Sequence, residues 1–232
     1  MSKLFSGTEG ALQINTADIA DDAVTLAKLS ATGTPSSSNF LRGDNTFAEA
    51  GAGLKFINTA DFSGGSSHNF TATDASKYDC YRMILQSVVP SGAAVYAELR
   101  TSTDGGSNYD TSSGEYQWVV TKLGGDAGAD VLYSAAVIEL LGDASNTDTV
   151  LGSGANEHGI SGWIDVIAPH LTTHTTVQWQ LSWITNNSSQ LNVVAGAGTR
   201  KSAADVDAFQ FKFEGGANLE SGSITTYGWA NA

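Results

Sequence analysis

A chain of 232 residues with 24 acidic against 11 basic side chains has a formal charge of -13 and an isoelectric point near 4.4. That balance argues against nucleic acid and anionic membrane as partners, because no Lys/Arg cluster is present to displace phosphate counterions. The lone cysteine, Cys80, can close no internal disulfide, and its place beside Tyr78 and Tyr81 in an apolar run reads as a buried thiol. No stretch approaches the roughly 20 apolar residues of a spanning helix, and the opening MSKLFSGTEG lacks a signal-peptide core, so the chain is expected to be made and kept in soluble form.

Residues 1–53 are rich in Ser, Thr, Gly, Ala, Asp and Asn and contain one short periodic segment. In NTADIADDAVTLAKLS, residues 15–30, Ile19, Ala23 and Leu26 recur at helical spacing, with Asn15 or Thr16 as a cap and Gly33 and Pro35 as stops. Such a helix is marginal alone and implies a docking partner; the competing reading is a frayed arm. Phe40, Leu41 and Phe47 then stand in an otherwise polar SSSNFLRGDNTF, residues 36–47, where Leu-Arg-Gly-Asp reads as a turn between paired segments.

From residue 54 onward the pattern has a period of two, broken by Gly, Asn, Asp and Ser clusters. In VQWQLSWI, Val177, Trp179, Leu181 and Trp183 share one face; in FQFKF, Phe209, Phe211 and Phe213 do. Further strands are expected over Tyr78–Val89, Ala94–Thr101, Glu115–Leu123, Val131–Leu141, Ile160–Ala168, Leu191–Ala195 and Ser223–Trp229, about eight to ten in all. With no sustained helical period, the expected fold is mainly β: an antiparallel β-sandwich, jelly-roll-like, over residues 54–232, preceded by a short helical or extended attachment and neck segment over residues 1–53. A shared phrase, SGWI at 161–164 and SGSI at 221–224, reads as a turn launching a strand.

Candidate sites are few. Asp104, Asn108 and Asp110 in STDGGSNYD offer oxygen donors, but the spacing is not that of an EF-hand loop and Asp-Gly-Gly reads as a hairpin turn. His170 and His174, four apart ahead of a strand, would lie about 13 Å from one another in extended chain, too far for one metal, and read as surface residues. His68 and His158 lie in polar segments without a nucleophile partner, and no hydrolase elbow, P-loop or HExxH motif occurs. No enzyme activity, metal or cofactor is expected. The five tryptophans mostly suit a core, whereas Tyr109, Tyr133 and His158, near Gly and Asp clusters, are the candidates for ligand-facing loops at the ends of the sandwich.

Two phrases carry a resemblance. IADDAVTLAKL (Ile19 to Leu29) followed by FLRGDNTF (Phe40 to Phe47) resembles the attachment and neck segments of bacteriophage tail-fibre and related virion appendage proteins. A strand followed by STDGGSNYD, with a late strand such as SGSITTYGW, is similar to the sandwich domains of that group. The resemblance implies a homotrimer whose N-terminus docks on tail, baseplate or capsid proteins of the virion and whose sandwich recognises a host-surface glycan or joins neighbouring subunits. Such a protein is made in the host cytoplasm and resides in the particle. Ile19, Leu26, Leu29, Phe40, Leu41, Arg42, Asp44 and Phe47 are the attachment and neck residues: the apolar ones would meet their copies at a three-fold axis, and Arg42 and Asp44 would form an ion pair within or between chains. The alternatives are a head decoration or head-fibre protein, a stand-alone carbohydrate-binding module and, more remotely, a glycan hydrolase.

Overall fold

The computed structural model describes residues 32–34, 39–49, 53–93, 95–124, 128–142, 151–154, 158–185 and 190–230. The expected helix over residues 15–30, with Ile19, Leu26 and Leu29, lies outside them. Among the described residues no helix is long and apolar enough to cross a membrane. The chain divides into two compact units, Met1–Gly51 and Ala52–Ala232.

In the first unit, β1 (Asn39–Leu41) pairs antiparallel with β2 (Phe47–Glu49). The reversal is closed by Arg42 N–H donating to the Thr46 carbonyl (2.8 Å) and Asn45 N–H to that of Arg42 (3.0 Å). Asn45 takes a positive φ of 61°, which Asn tolerates because its short amide bonds locally. Asp44 accepts from the Thr46 hydroxyl (2.7 Å) and amide (3.1 Å), and those bonds hold its carboxyl below the ordinary value. Thr32 lies alongside, donating to Asn45 and accepting from the Phe47 amide.

The second unit contains β3 (Leu54–Asp61), β4 (His68–Phe70), β5 (Tyr78–Pro90), β6 (Ala97–Ser102), β7 (Tyr116–Leu123) and β8 (Gly128–Ala135). These are followed by β9 (Ile138–Glu139), β10 (Ile160–Ile167), β11 (Thr176–Ile184), β12 (Leu191–Arg200), β13 (Ala208–Phe213) and β14 (Leu219–Ala230). They form two antiparallel sheets, eight strands in the order β3-β14-β5-β10-β11-β12-β7-β8 and four in the order β4-β13-β6-β9, in a sandwich. Early strands pair with late ones in nested fashion: β5 with β14 in the large sheet, β6 with β13 in the small one. That is the wrapping of a jelly roll. The next nested pair, β7 with β12, returns to the large sheet and widens it.

The faces meet as the alternation predicts. Val177, Trp179, Leu181 and Trp183 are buried from the large sheet, and Phe209, Phe211 and Phe213 from the small one. Tyr81 touches Phe70 (ring centroids 5.5 Å apart) and Phe209 (5.7 Å), which stack on each other at 5.9 Å. Each such side chain contributes about 1.5 to 3 kcal/mol by leaving water. Trp179 also donates its Nε1–H to the Leu140 carbonyl at 2.8 Å. Its ring lies where any side chain on Gly196 would have to go, so a glycine in β12 is what allows a tryptophan in β11.

Several expectations are corrected. The segment expected as one strand over Val131–Leu141 bends after Ala135 and crosses between sheets, giving β8 and β9. SGWI and SGSI lie inside β10 and β14 and do not launch them. Both flank one irregularity in β5, where Gln86 and Ser87 oppose Ser161 of β10, Ser87 and Val88 oppose Gly222 of β14, and Ser87 adopts a φ of 48°. This is a β-bulge. The Ser87 amide donates to the Ser161 hydroxyl (3.0 Å), and a side chain on Gly222 would strike the Ser87 carbonyl.

Candidate binding surface

STDGGSNYD does not close a hairpin: it carries the chain from β6 in the small sheet to β7 in the large one. The local chemistry is nonetheless that of a turn. Gly105 and Gly106 have φ of 71° and 81°, and Asp104 accepts from the Asn108 side chain (2.7 Å), the Asn108 amide (2.8 Å) and the Ser102 hydroxyl (2.7 Å). These donors bring the Asp104 carboxyl down to about 2. At the end of the loop Asp110 binds Arg200 Nε at 2.8 Å, and Glu115 lies 3.3 Å from the same guanidinium, which is almost wholly buried at the end of β12. Among the described residues no group of three or more His, Cys, Asp or Glu side chains is placed to hold a metal ion.

Of the candidate ligand-facing residues, Tyr109 turns back into its loop. Its hydroxyl is buried without a partner, and a Cβ on Gly106 would lie 2.9 Å from it. Burial raises its pKa, helped by Asp104 and Asp207. Tyr133 lies within β8, not in a loop. His158 is exposed in the segment before β10, at a φ of 52°. His174 is exposed as expected, but two other histidines are corrected. His170 is mostly buried, with Nε2 3.0 Å from the Tyr81 hydroxyl and Nδ1 3.5 Å from Asp205. That Asp-His-Tyr array has the form of a proton relay, but Tyr81 is fully buried and burial pushes its hydroxyl up to about 12, so the array anchors strand to loop and presents no nucleophile. His68 belongs to buried β4, where loss of water lowers its pKa.

In the first unit Phe40 is 59% and Leu41 42% exposed, Phe47 is half-buried and Arg42 and Asp44 are exposed. The hairpin thus presents two adjacent apolar side chains to water at its strand end.

The aromatic residues that escape the core were hidden by the expectation that tryptophans are core. Trp163 and Trp229 lie on the outer face of the large sheet, Trp163 half-buried and Trp229 39% exposed. Between them the Arg82 guanidinium lies 4.9 Å from the Trp163 ring centre and 6.0 Å from that of Trp229. Asp165, its neighbour across β5 and β10, grips it through Nε (2.6 Å) and Nη2 (2.5 Å). A bidentate pair of this kind fixes the guanidinium plane, and the plane in turn fixes the indole. Phe56, Leu54 and Tyr227 extend this cluster to the β3 edge; Val119, Val131, Leu123 and Leu191 are the exposed apolar side chains at the other end.

Between the two ends the face is nearly free of charge. The sequences of β10 and β11 contain one ionisable side chain, Asp165, already paired, and β12 contains only the buried Arg200. Here a hollow of about 370 Å³ opens, walled by Trp163, Gln180, Ser182, Leu191 and Val193. A second hollow of about 160 Å³, bordered by the same Ser161, Ser182 and Leu191, extends to His158. Together they form a groove with an aromatic wall, an amide, two hydroxyls and an imidazole. A third hollow, about 250 Å³, lies over β7, β8 and β12 beside Val119, Val131 and Thr199.

Comparison of the chain with known proteins finds no matching family model, no matching curated protein and no matching solved structure.

Proposed function

We propose that this chain is a non-enzymatic bacteriophage virion protein, a trimeric tail-fibre or appendage subunit. Residues 1–53 anchor it to the particle and bind its copies, and residues 54–232 form a sandwich that meets the host surface or a neighbouring subunit. The observation that carries the reading is the β1–β2 hairpin. It encloses the FLRGDNTF phrase and leaves Phe40 and Leu41 59% and 42% exposed, a cost in water that a three-fold contact would remove. Asp44 is engaged by Thr46 of its own turn, so the neck contact rests on the apolar pair more than on an Arg42–Asp44 bridge. The acidic, sparsely basic surface suits dense packing of many copies on a particle. A stand-alone carbohydrate-binding module is the second reading, favoured by the Trp163 groove. Light scattering separates the two: the full chain is expected to be a trimer and a chain beginning at Gly53 a monomer. A monomeric full chain would sink the appendage reading.

A further inference from the structure

We infer that the groove from Trp163 to His158 on the outer face of the large sheet binds an uncharged saccharide, which deepens and rests on the reading of the sandwich as host-facing. Three independent features point to that chemistry. First, the wall is an indole held in place: Arg82 covers one side of Trp163, Asp165 locks Arg82, and the ring lines the hollow. A pyranose presents C–H groups that stack on such a ring. Second, the rest of the groove is polar without charge. Gln180 pairs with Trp163 across β10 and β11, and Ser161 with Ser182. The Ser161 oxygen accepts from the Ser87 amide, which leaves its O–H free to donate to a ligand in the hollow that Ser161 lines. An amide and hydroxyls on neighbouring strands match the vicinal hydroxyls of a sugar. Third, the combined space falls in the range of small-ligand sites, about 300 to 1,000 Å³.

Other ligand classes fit less well. A phosphate, sulfate or carboxylate ligand would need a cation, and Arg82 is committed to Asp165 on a chain of charge -13. A purely apolar ligand would strip water from Gln180, Ser161 and Ser182 and return no hydrogen bond. A sugar satisfies both the ring and the polar groups. Arg82 is then a positioning residue acting through Trp163. The β5 bulge at Ser87 belongs to the same device, because it places the donor that orients Ser161.

The test is affinity electrophoresis of the full chain through gels containing dextran, mannan, galactan or the polyanion polygalacturonate. At least one neutral polymer is expected to retard the chain, and polygalacturonate is not. Gln180→Ala, an exposed position that does not threaten folding, is expected to weaken retention at least tenfold, and Trp163→Ala likewise. Arg82→Met should weaken it less and broaden the Trp163 indole N–H resonance, a signature that loss of stability alone would not give. Val119→Ala, at the far end of the face, should change nothing. The proposal is overturned by free mobility in all three neutral gels, by retention on the polyanion as strong as on the neutral polymers, or by retention unmoved in both Gln180→Ala and Trp163→Ala. Solution mass reports separately on the appendage reading: a trimer that no sugar retards loses only the groove, and a retarded monomer loses only the neck.

Discussion

Replacing Phe40 and Leu41 together by Ser removes the apolar pair at the hairpin while leaving the turn bonds of Arg42, Asp44, Asn45 and Thr46 intact. Complete burial of a Phe or Leu side chain contributes about 1.5 to 3 kcal/mol. The fractions still exposed, 59% and 42%, leave roughly 1.5 to 3 kcal/mol per chain to be gained from a neck contact. Over three chains that is on the order of 5 to 9 kcal/mol. The midpoint concentration of a monomer–trimer equilibrium varies as the square root of its dissociation constant, so the double variant should raise that midpoint roughly 50- to 1,500-fold. Sedimentation equilibrium over a dilution series measures it, with circular dichroism to show that the sandwich remains folded. A midpoint that moves less than about threefold, a shift of under roughly 1.5 kcal/mol over the three chains, would refute the reasoning that these side chains hold copies together.

Two further outcomes test the fold. Trp179→Phe removes the donor to the Leu140 carbonyl and leaves a void under Gly196, a loss of about 2 to 4 kcal/mol that should lower the melting temperature by roughly 5 to 15 °C. Trp229→Phe, 39% exposed on the outer face, should lower it by under about 2 °C, and equal shifts would contradict the assignment of faces. Asp104 titrates near 2 in the folded chain and near 3.9 in an unfolded one. Its support for the loop is therefore complete above about pH 4 and is lost as pH falls toward 2. The Asn108 amide resonance should report a midpoint close to 2, whereas one close to 4 would mean that the carboxylate is not held by its donors.

What the sequence disclosed was what period-two burial can disclose. β11 and β13 are legible because large apolar residues recur at alternate positions between polar ones, and the whole of each pattern is consumed by one core. The expected strand stops at Ala195, where Gly196 and Gly198 follow; in the folded chain they make room for Trp179 of adjacent β11 and Ile138 of β9 in the facing sheet, a contact no local pattern encodes. β3, an edge strand that is nowhere fully buried, and the three-residue β4 give too little contrast to register. Trp163 could have been found: it is out of phase with Ile160, Ile164 and Val166, so the alternation that buries those three must turn it outward. Strand number alone suggests the jelly-roll wrapping, and the true pairing of early with late strands depends on contacts far apart in the chain, from Leu123 with Val193 to Tyr78 with Ala230. The loop after β6 shows the same limit, since Asp-Gly-Gly chemistry is identical whether a turn joins neighbours or crosses between sheets.

The bulge at Ser87 works as a parity switch. Ahead of it the odd-numbered residues of β5 face the core, Tyr81, Met83 and Leu85; beyond it the even-numbered ones do, Val88 and Pro90. Losing that single residue would force one half of the strand to turn its apolar side chains outward, in the strand that lies between β14 and β10. The insertion is also insured from both sides, by Gly159 against the Val88 carbonyl and Gly222 against that of Ser87. Three places far apart in the chain therefore form one structural unit: a side chain at either glycine would strike the backbone of the insertion, and the extra residue can go only if half of a core strand is rewritten.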